Sequence, residues 1–155
     1  MVNYKKRREG DSMMNSMELR FRAMNGNESF ARTSVASFIM PLNPTLDQID
    51  EVKTIVSEAV SNAIIHGYDK DASKSVYVNV DIENNKVTIT IQDYGKGIED
   101  LSLVMKDSYS TKENEEHAGM GMTIMKAFSD DFNIVSKVNL GTKVTLIKYI
   151  NKENE

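Results

Sequence analysis

Residues 55–69, "IVSEAVSNAIIHGYD", carry apolar side chains at helical spacing, and Glu58, Asn62 and His66 recur at every fourth position. Upstream, Thr45-Leu46-Asp47-Gln48 is a capping-box pattern, and downstream Gly67 is a natural helix stop. One long helix is predicted between them. At about 100° per residue, Ile49, Val52, Val56, Ala59, Val60, Ala63 and Ile64 fall within one broad arc, the predicted core face. Glu58, Asn62 and His66 form a narrow stripe largely opposite, flanked by Ile55 and Ile65. By itself the trio reads first as a solvated stripe and second as a row held against a ligand. The flanking isoleucines favour the second reading.

Working outward, "MELRFRAM" (17–24) alternates apolar and charged residues, as a half-buried strand does. "NGN" breaks it, and "ESFARTSVASFIM" (28–40) reads as a helix ended by Pro41 and Pro44. "SVYVNVDI" (75–82) and "KVTITIQD" (86–93) alternate with period two across the turn "ENN", a hairpin. Residues 94–118 are polar with little periodicity, and a loop of that length inside a domain is usually functional, often a lid. A short helix follows over 121–131, then a last hairpin, "FNIVSKV" and "TKVTLIKYI", around "NLG". The order β-α-α-β-β-lid-α-β-β predicts an α+β two-layer sandwich, a mixed sheet with helices on one face.

The chain of 155 residues has room for one domain. Residues 17–150 are assigned to it, 151–155 to a frayed tail. Residues 1–16 are read as a disordered leader or as a segment ahead of the true start. In "RREGDSMMNSM", Arg-Glu-Gly can be encoded by a purine-rich, ribosome-binding-like run, which points to Met13, Met14 or Met17 as that start. The absence of cysteine excludes disulfides and thiolate metal sites and fits a cytoplasmic address. No apolar run reaches the ~20 residues of a membrane span. The net charge of −4 is uneven: "KKRR" gives residues 1–16 a local +2, leaving −6 on the remainder. An acidic body argues against nucleic acid as a partner.

Three further motifs carry chemistry. "DYGKGI" (93–98) follows a strand directly; Asp93 ends the strand, and Gly95 and Gly97 let the backbone turn sharply and approach a ligand. "GMGM" places Gly119 and Gly121 at the mouth of a helix, where backbone N–H groups suit phosphate. "NLGTKVTL" puts Gly141 and Thr142 at the start of the final strand. Each alone is a modest signal. His66 and His117 are the only histidines, which makes a zinc site improbable.

Together and in this order, a helical E-x-x-x-N, a strand-end D-x-G-x-G, a G-x-G at a helix start and a late G-T resemble the ATP-binding signature of the GHKL superfamily. That group holds gyrase, Hsp90, histidine-kinase and MutL ATPase domains. "NESFAR", "LNPTLDQIDEVKTIVSEAVSNAIIHGY", "STK" and "GMGMTIM" narrow the likeness: the stretch from about 17 to 150 resembles the bacterial anti-sigma-F factors, serine protein kinases of sporulating bacteria.

The resemblance implies a Bergerat-type ATP-binding fold that takes ATP or ADP with Mg²⁺. Glu58 would be the general base toward a substrate serine, and Asn62 would hold Mg²⁺. Asp93 would accept from the adenine amino group, with room left by Gly95 and Gly97 and support from Thr142. Gly119 and Gly121 would bind phosphates, and Lys112 in the lid would add positive charge, although it reads equally as a solvated lysine. Arg32 matches an arginine that contacts protein partners. The implied partners are a sporulation sigma factor, an anti-anti-sigma protein phosphorylated on serine, and a second copy in a homodimer. Nucleic acid and membrane are not implied. Two alternatives stand beside this: an anti-sigma kinase of the general stress response, and a nucleotide-binding module or histidine-kinase-type fragment without serine kinase activity. One departure is chain-specific. His117-Ala118 stands where the family carries Arg-Ser, so a permanently charged fork is replaced by a side chain that titrates near neutral pH.

Overall fold

The two hairpins and the helix pair account for the architecture. The computed structural model describes residues 13–105 and 121–151. The strands are β1 (Met14–Arg22), β2 (Ser75–Glu83), β3 (Lys86–Asp93), β4 (Asp131–Lys137) and β5 (Gly141–Tyr149). The helices are α1 (Asn27–Ile39), α2 (Leu46–Asn62), α3 (Leu101–Val104) and α4 (Gly121–Phe128). A single 3₁₀ turn spans Met40–Leu42, and a π-helical turn, Ala63–Gly67, extends α2. The sheet order is β1-β2-β3-β5-β4.

The α+β two-layer sandwich is as expected, but the sheet is not mixed: all four pairings are antiparallel. The reason lies in the connections. β2–β3 and β4–β5 are hairpins. The paired helices α1 and α2 bring the chain back to the end of the sheet where β1 stopped, so Arg22 faces Ser75. β1 also begins at Met14, inside the expected leader, with Met14, Asn15 and Ser16 opposite Glu83, Ile82 and Asp81. Their side chains are exposed, so no hydrophobic alternation marks them as strand. At the other end Asn151, assigned to the tail, donates its side-chain N–H to the Leu42 and Asn43 carbonyls.

Alternation in the strands sets the core. Val76, Val78, Val80 and Ile82 of β2, Val87, Ile89 and Ile91 of β3, and Val144 and Leu146 of β5 point to the helices and are buried. Each such side chain is worth about 1.5–3 kcal/mol of burial. From α2 come Val52, Ile55, Val56, Ala59 and Val60, then Ala63 and Ile64 of the π turn. Thr45 caps α2 through the complete capping box with Gln48. Lys148 of β5 interrupts the apolar pattern: its ammonium donates to Glu51 and to the Phe128 carbonyl (2.7 Å for the latter), tying α2 and the end of α4 to the sheet.

Candidate functional site

The strand direction brings Arg22, Ser75, Asp93, Lys137 and Gly141 to one end of the sheet, and α2 ends there too. Two groups of candidates result, one along α2 and one at the strand ends.

The first holds Glu58, Asn62 and Gly121. Both side chains are half-buried and one helical turn apart. A Cβ placed on Gly121 would sit 3.0 Å from Glu58 Oε2, 3.3 Å from Asn62 Nδ2 and 3.6 Å from Asn62 Oδ1. The absence of that Cβ lets the start of α4 lie directly on the Glu58–Asn62 stripe. A carboxylate, an amide oxygen and the first turn of a helix thus face one place. Hard oxygen donors of this kind suit Mg²⁺, which takes one or two protein ligands and completes its shell with phosphates and water. No cluster of three or more His, Cys, Asp or Glu side chains exists among the described residues, so an all-protein metal cage is not built there.

The second group centres on Asp93, which is 4% exposed. Its Oδ1 accepts from the Gly95 N–H at 2.9 Å, and the Thr142 backbone N–H also donates to the carboxylate. Burial pushes this carboxyl up from 3.8 to about 6, and the two amides offset only part of that cost. Gly67 closes the other side: a Cβ there would lie 2.8 Å from Asp93 Cγ. Gly95 packs so closely that a Cβ would stand 2.0 Å from the Gly67 carbonyl oxygen, and Lys96 N–H donates to that oxygen at 3.0 Å. Gly97, at φ +72°, lies against Lys137, where a Cβ would be 2.2 Å from the carbonyl oxygen. The missing Cβ atoms of Gly95 and Gly97 are therefore required first by the protein's own backbone. Thr142 Oγ1 lies 2.7 Å from Ser136 Oγ, which accepts from Ile98 N–H at 2.8 Å.

Sequence reasoning passed over three members of this end. Gly67 was read only as a helix stop, and Tyr68 and Ser136 gave no sign. Tyr68 is 8% exposed; its hydroxyl donates to the Ser75 carbonyl and accepts from Tyr94 N–H, both at 2.7 Å. Burial raises its pKa above 10.0, which keeps the phenol protonated. Ile55, read as flanking the polar stripe, lies instead fully in the core, while Ile65 packs half-buried against it. His66 sits in the last turn of the π-helical segment. Arg32 is half-buried on α1 and its Nη1 donates to Ser57 Oγ at 3.4 Å, one residue from Glu58. Lys112, Gly119 and His117-Ala118 lie outside the described residues.

The family profile of the histidine kinase-like ATPase domain matches residues 23–148. The anti-sigma F factor of Anoxybacillus flavithermus is 54% identical over 140 residues, covering 90% of this chain and 96% of the relative. The chain belongs to the anti-sigma F factor family. The Bacillus subtilis member is 49% identical over the same shares of both chains. Among solved structures, the RsbU and RsbW domains of Rv1364c from Mycobacterium tuberculosis match with a TM-score of 0.62 at 17% identity. That match covers 88% of this chain and 32% of the other, and it supports the fold alone. The family's extent includes both groups of site residues, from Glu58 through Thr142.

Proposed function

We propose that the chain is an anti-sigma factor and ATP-dependent serine kinase. In this reading it binds and inhibits a sporulation sigma factor of the sigma-F type and phosphorylates its anti-anti-sigma antagonist. The observation that carries the kinase reading is the convergence of Glu58, Asn62 and Gly121 at one place on α2. Asp93, Gly67 and Thr142 stand further along the same helix line. The stretch from Glu58 to Gly67 rises roughly 13 Å, a span that suits an extended nucleoside triphosphate. The buried carboxylate of Asp93 takes the adenine amino group, and the α4 N-terminus with Gly121 takes the phosphates.

Asn62 would hold Mg²⁺ through its amide oxygen, and the ion would supply charge neutralisation at the transferring group. Glu58 accepts the proton of the serine hydroxyl as its oxygen bonds to the γ-phosphorus and the bond to ADP breaks. Gly119 and Lys112 add phosphate contacts, and Arg32 contributes to the partner surface. The protein works as a cytoplasmic homodimer. No helix among the described residues is long and apolar enough to cross a membrane. The acidic body supports protein rather than nucleic-acid partners.

The test is incubation with Mg-ATP and a candidate anti-anti-sigma protein. Phosphoserine on the partner, lowered by roughly 10²–10⁴-fold in Glu58→Gln with ADP affinity retained, supports the proposal. Nucleotide binding with no transfer would point to a binding module instead.

A further inference from the structure

The mechanism above leaves the buried Tyr68 hydroxyl unused. It lies where three separate segments meet. Tyr68 closes the π turn, with its N–H bonded to the Ala63 carbonyl five residues back at 3.0 Å. Its hydroxyl reaches the start of β2 through the Ser75 carbonyl and the end of β3 through the Tyr94 amide. Tyr94 is the residue between Asp93 and Gly95. The hydroxyl therefore fixes the middle amide of the turn whose next amide, Gly95 N–H, orients the Asp93 carboxylate.

The side chain of Tyr94 offers no anchor of its own in the core. Its ring is 63% exposed and lies roughly perpendicular to the ring of Tyr77, at 5.6 Å between centroids. On the core side the turn is held by two bonds. Lys96 N–H reaches the Gly67 carbonyl, and Tyr94 N–H reaches Tyr68. Both acceptors are consecutive residues at the end of the α2 line. The C-terminal part of the same helix line therefore carries Glu58 and Asn62 and, just beyond them, sets the Asp93 turn. A buried donor without its acceptor costs the full desolvation of that group, so removal of the hydroxyl oxygen drives the Tyr94 amide toward water and shifts the turn.

We propose that Tyr68 is a positioning residue for base recognition, its hydroxyl holding the Asp93–Gly95 turn in the orientation that accepts the adenine amino group. This rests on the reading of Asp93 as the adenine acceptor. Tyr68→Phe keeps the buried ring and removes only the hydroxyl. The binding of ADP, IDP and inorganic tripolyphosphate is measured by calorimetry for the wild-type protein and the variant, well below their melting temperatures. IDP presents a carbonyl where ADP presents the amino group, so an accepting carboxylate discriminates between them. ADP affinity should fall about tenfold in Tyr68→Phe, the preference for ADP over IDP should narrow, and tripolyphosphate affinity should stay unchanged. An unchanged ADP-to-IDP ratio, or equal losses for all three ligands, overturns the positioning role alone. A wild-type protein that binds ADP and IDP equally overturns the Asp93 reading and the inference together.

Discussion

Replacing Asp93 by Asn tests the base-recognition end through a titration. In the folded protein the Asp93 carboxyl titrates at about 6, raised from 3.8 chiefly by burial. On the proposed reading the adenine amino group donates to Asp93, so binding needs the ionised carboxylate. At pH 7.5 nearly all of it is ionised; at pH 5 only about one in ten is. ADP affinity should therefore drop about tenfold more across that interval in the wild-type protein than in Asp93→Asn, which cannot titrate. Both proteins keep His66 and His117, and both meet the same phosphate ionisations, so their ratio isolates Asp93. The stability sign follows from the same shift. Because the folded pKa is raised, the contribution of this carboxyl is fully favourable below about 4 and is lost as pH rises through about 6. Keeping the buried charge then costs on the order of 3 kcal/mol at pH 7. Asp93→Asn should melt higher than wild type at pH 7 by a margin that shrinks toward pH 4. Calorimetric titrations and thermal melts at several pH values decide it. Parallel affinity profiles for the two proteins would refute the reasoning.

Two other perturbations probe the wall of the site and the far end of the sheet. Gly67→Ala places a Cβ 2.8 Å from Asp93 Cγ, so the carboxylate must leave its two amides; ADP affinity should fall at least about tenfold, at a stability cost of about 1–3 kcal/mol, read by calorimetry and melting. Glu51→Ala leaves the nearly buried Lys148 ammonium with the Phe128 carbonyl alone. Glu51 itself is about a third exposed, so the substitution should destabilise by about 1–3 kcal/mol, or lower Tm by roughly 2–12 °C, whereas an unchanged melt would mean the ion pair contributes little.

Where periodicity is strong, the elements were legible. The Thr45 capping box and the apolar arc of α2 located that helix, the period-two runs located β2 and β3, and the turn "NLG" located the β4–β5 hairpin. Features without a side-chain signal were not legible. Residues 14–16 pair through backbone alone on an edge strand, and the purely antiparallel sheet depends on where the helix pair returns the chain. The π turn arises after Asn62 with nothing in "AIIHG" to announce it. At the site, Glu58, Asn62 and Gly121 were readable from spacing and resemblance, and the fold does bring them together. Gly67 and Tyr68 were not, because a glycine at a helix end has an ordinary explanation and a tyrosine beside it reads as core. Their roles come from contacts to Asp93 and Tyr94, residues far along the chain, which no local pattern encodes.

The pairing of Asp93 with Thr142 has a consequence for the newborn chain. Half of what makes Asp93 a buried, oriented carboxylate comes from β5: the Thr142 amide, and Gly141, which lies so close that a Cβ would be 2.1 Å from the Asp93 carbonyl oxygen. A ribosome delivers α2 and β3 well before β5. Until that last strand zips onto β3, Asp93 lacks the Thr142 amide and the wall that Gly141 forms. On the proposed reading of Asp93, base retention is thus a late event of synthesis, and a chain halted before residue 142 carries the helix with Glu58 and Asn62 but lacks the strand that completes the Asp93 surroundings.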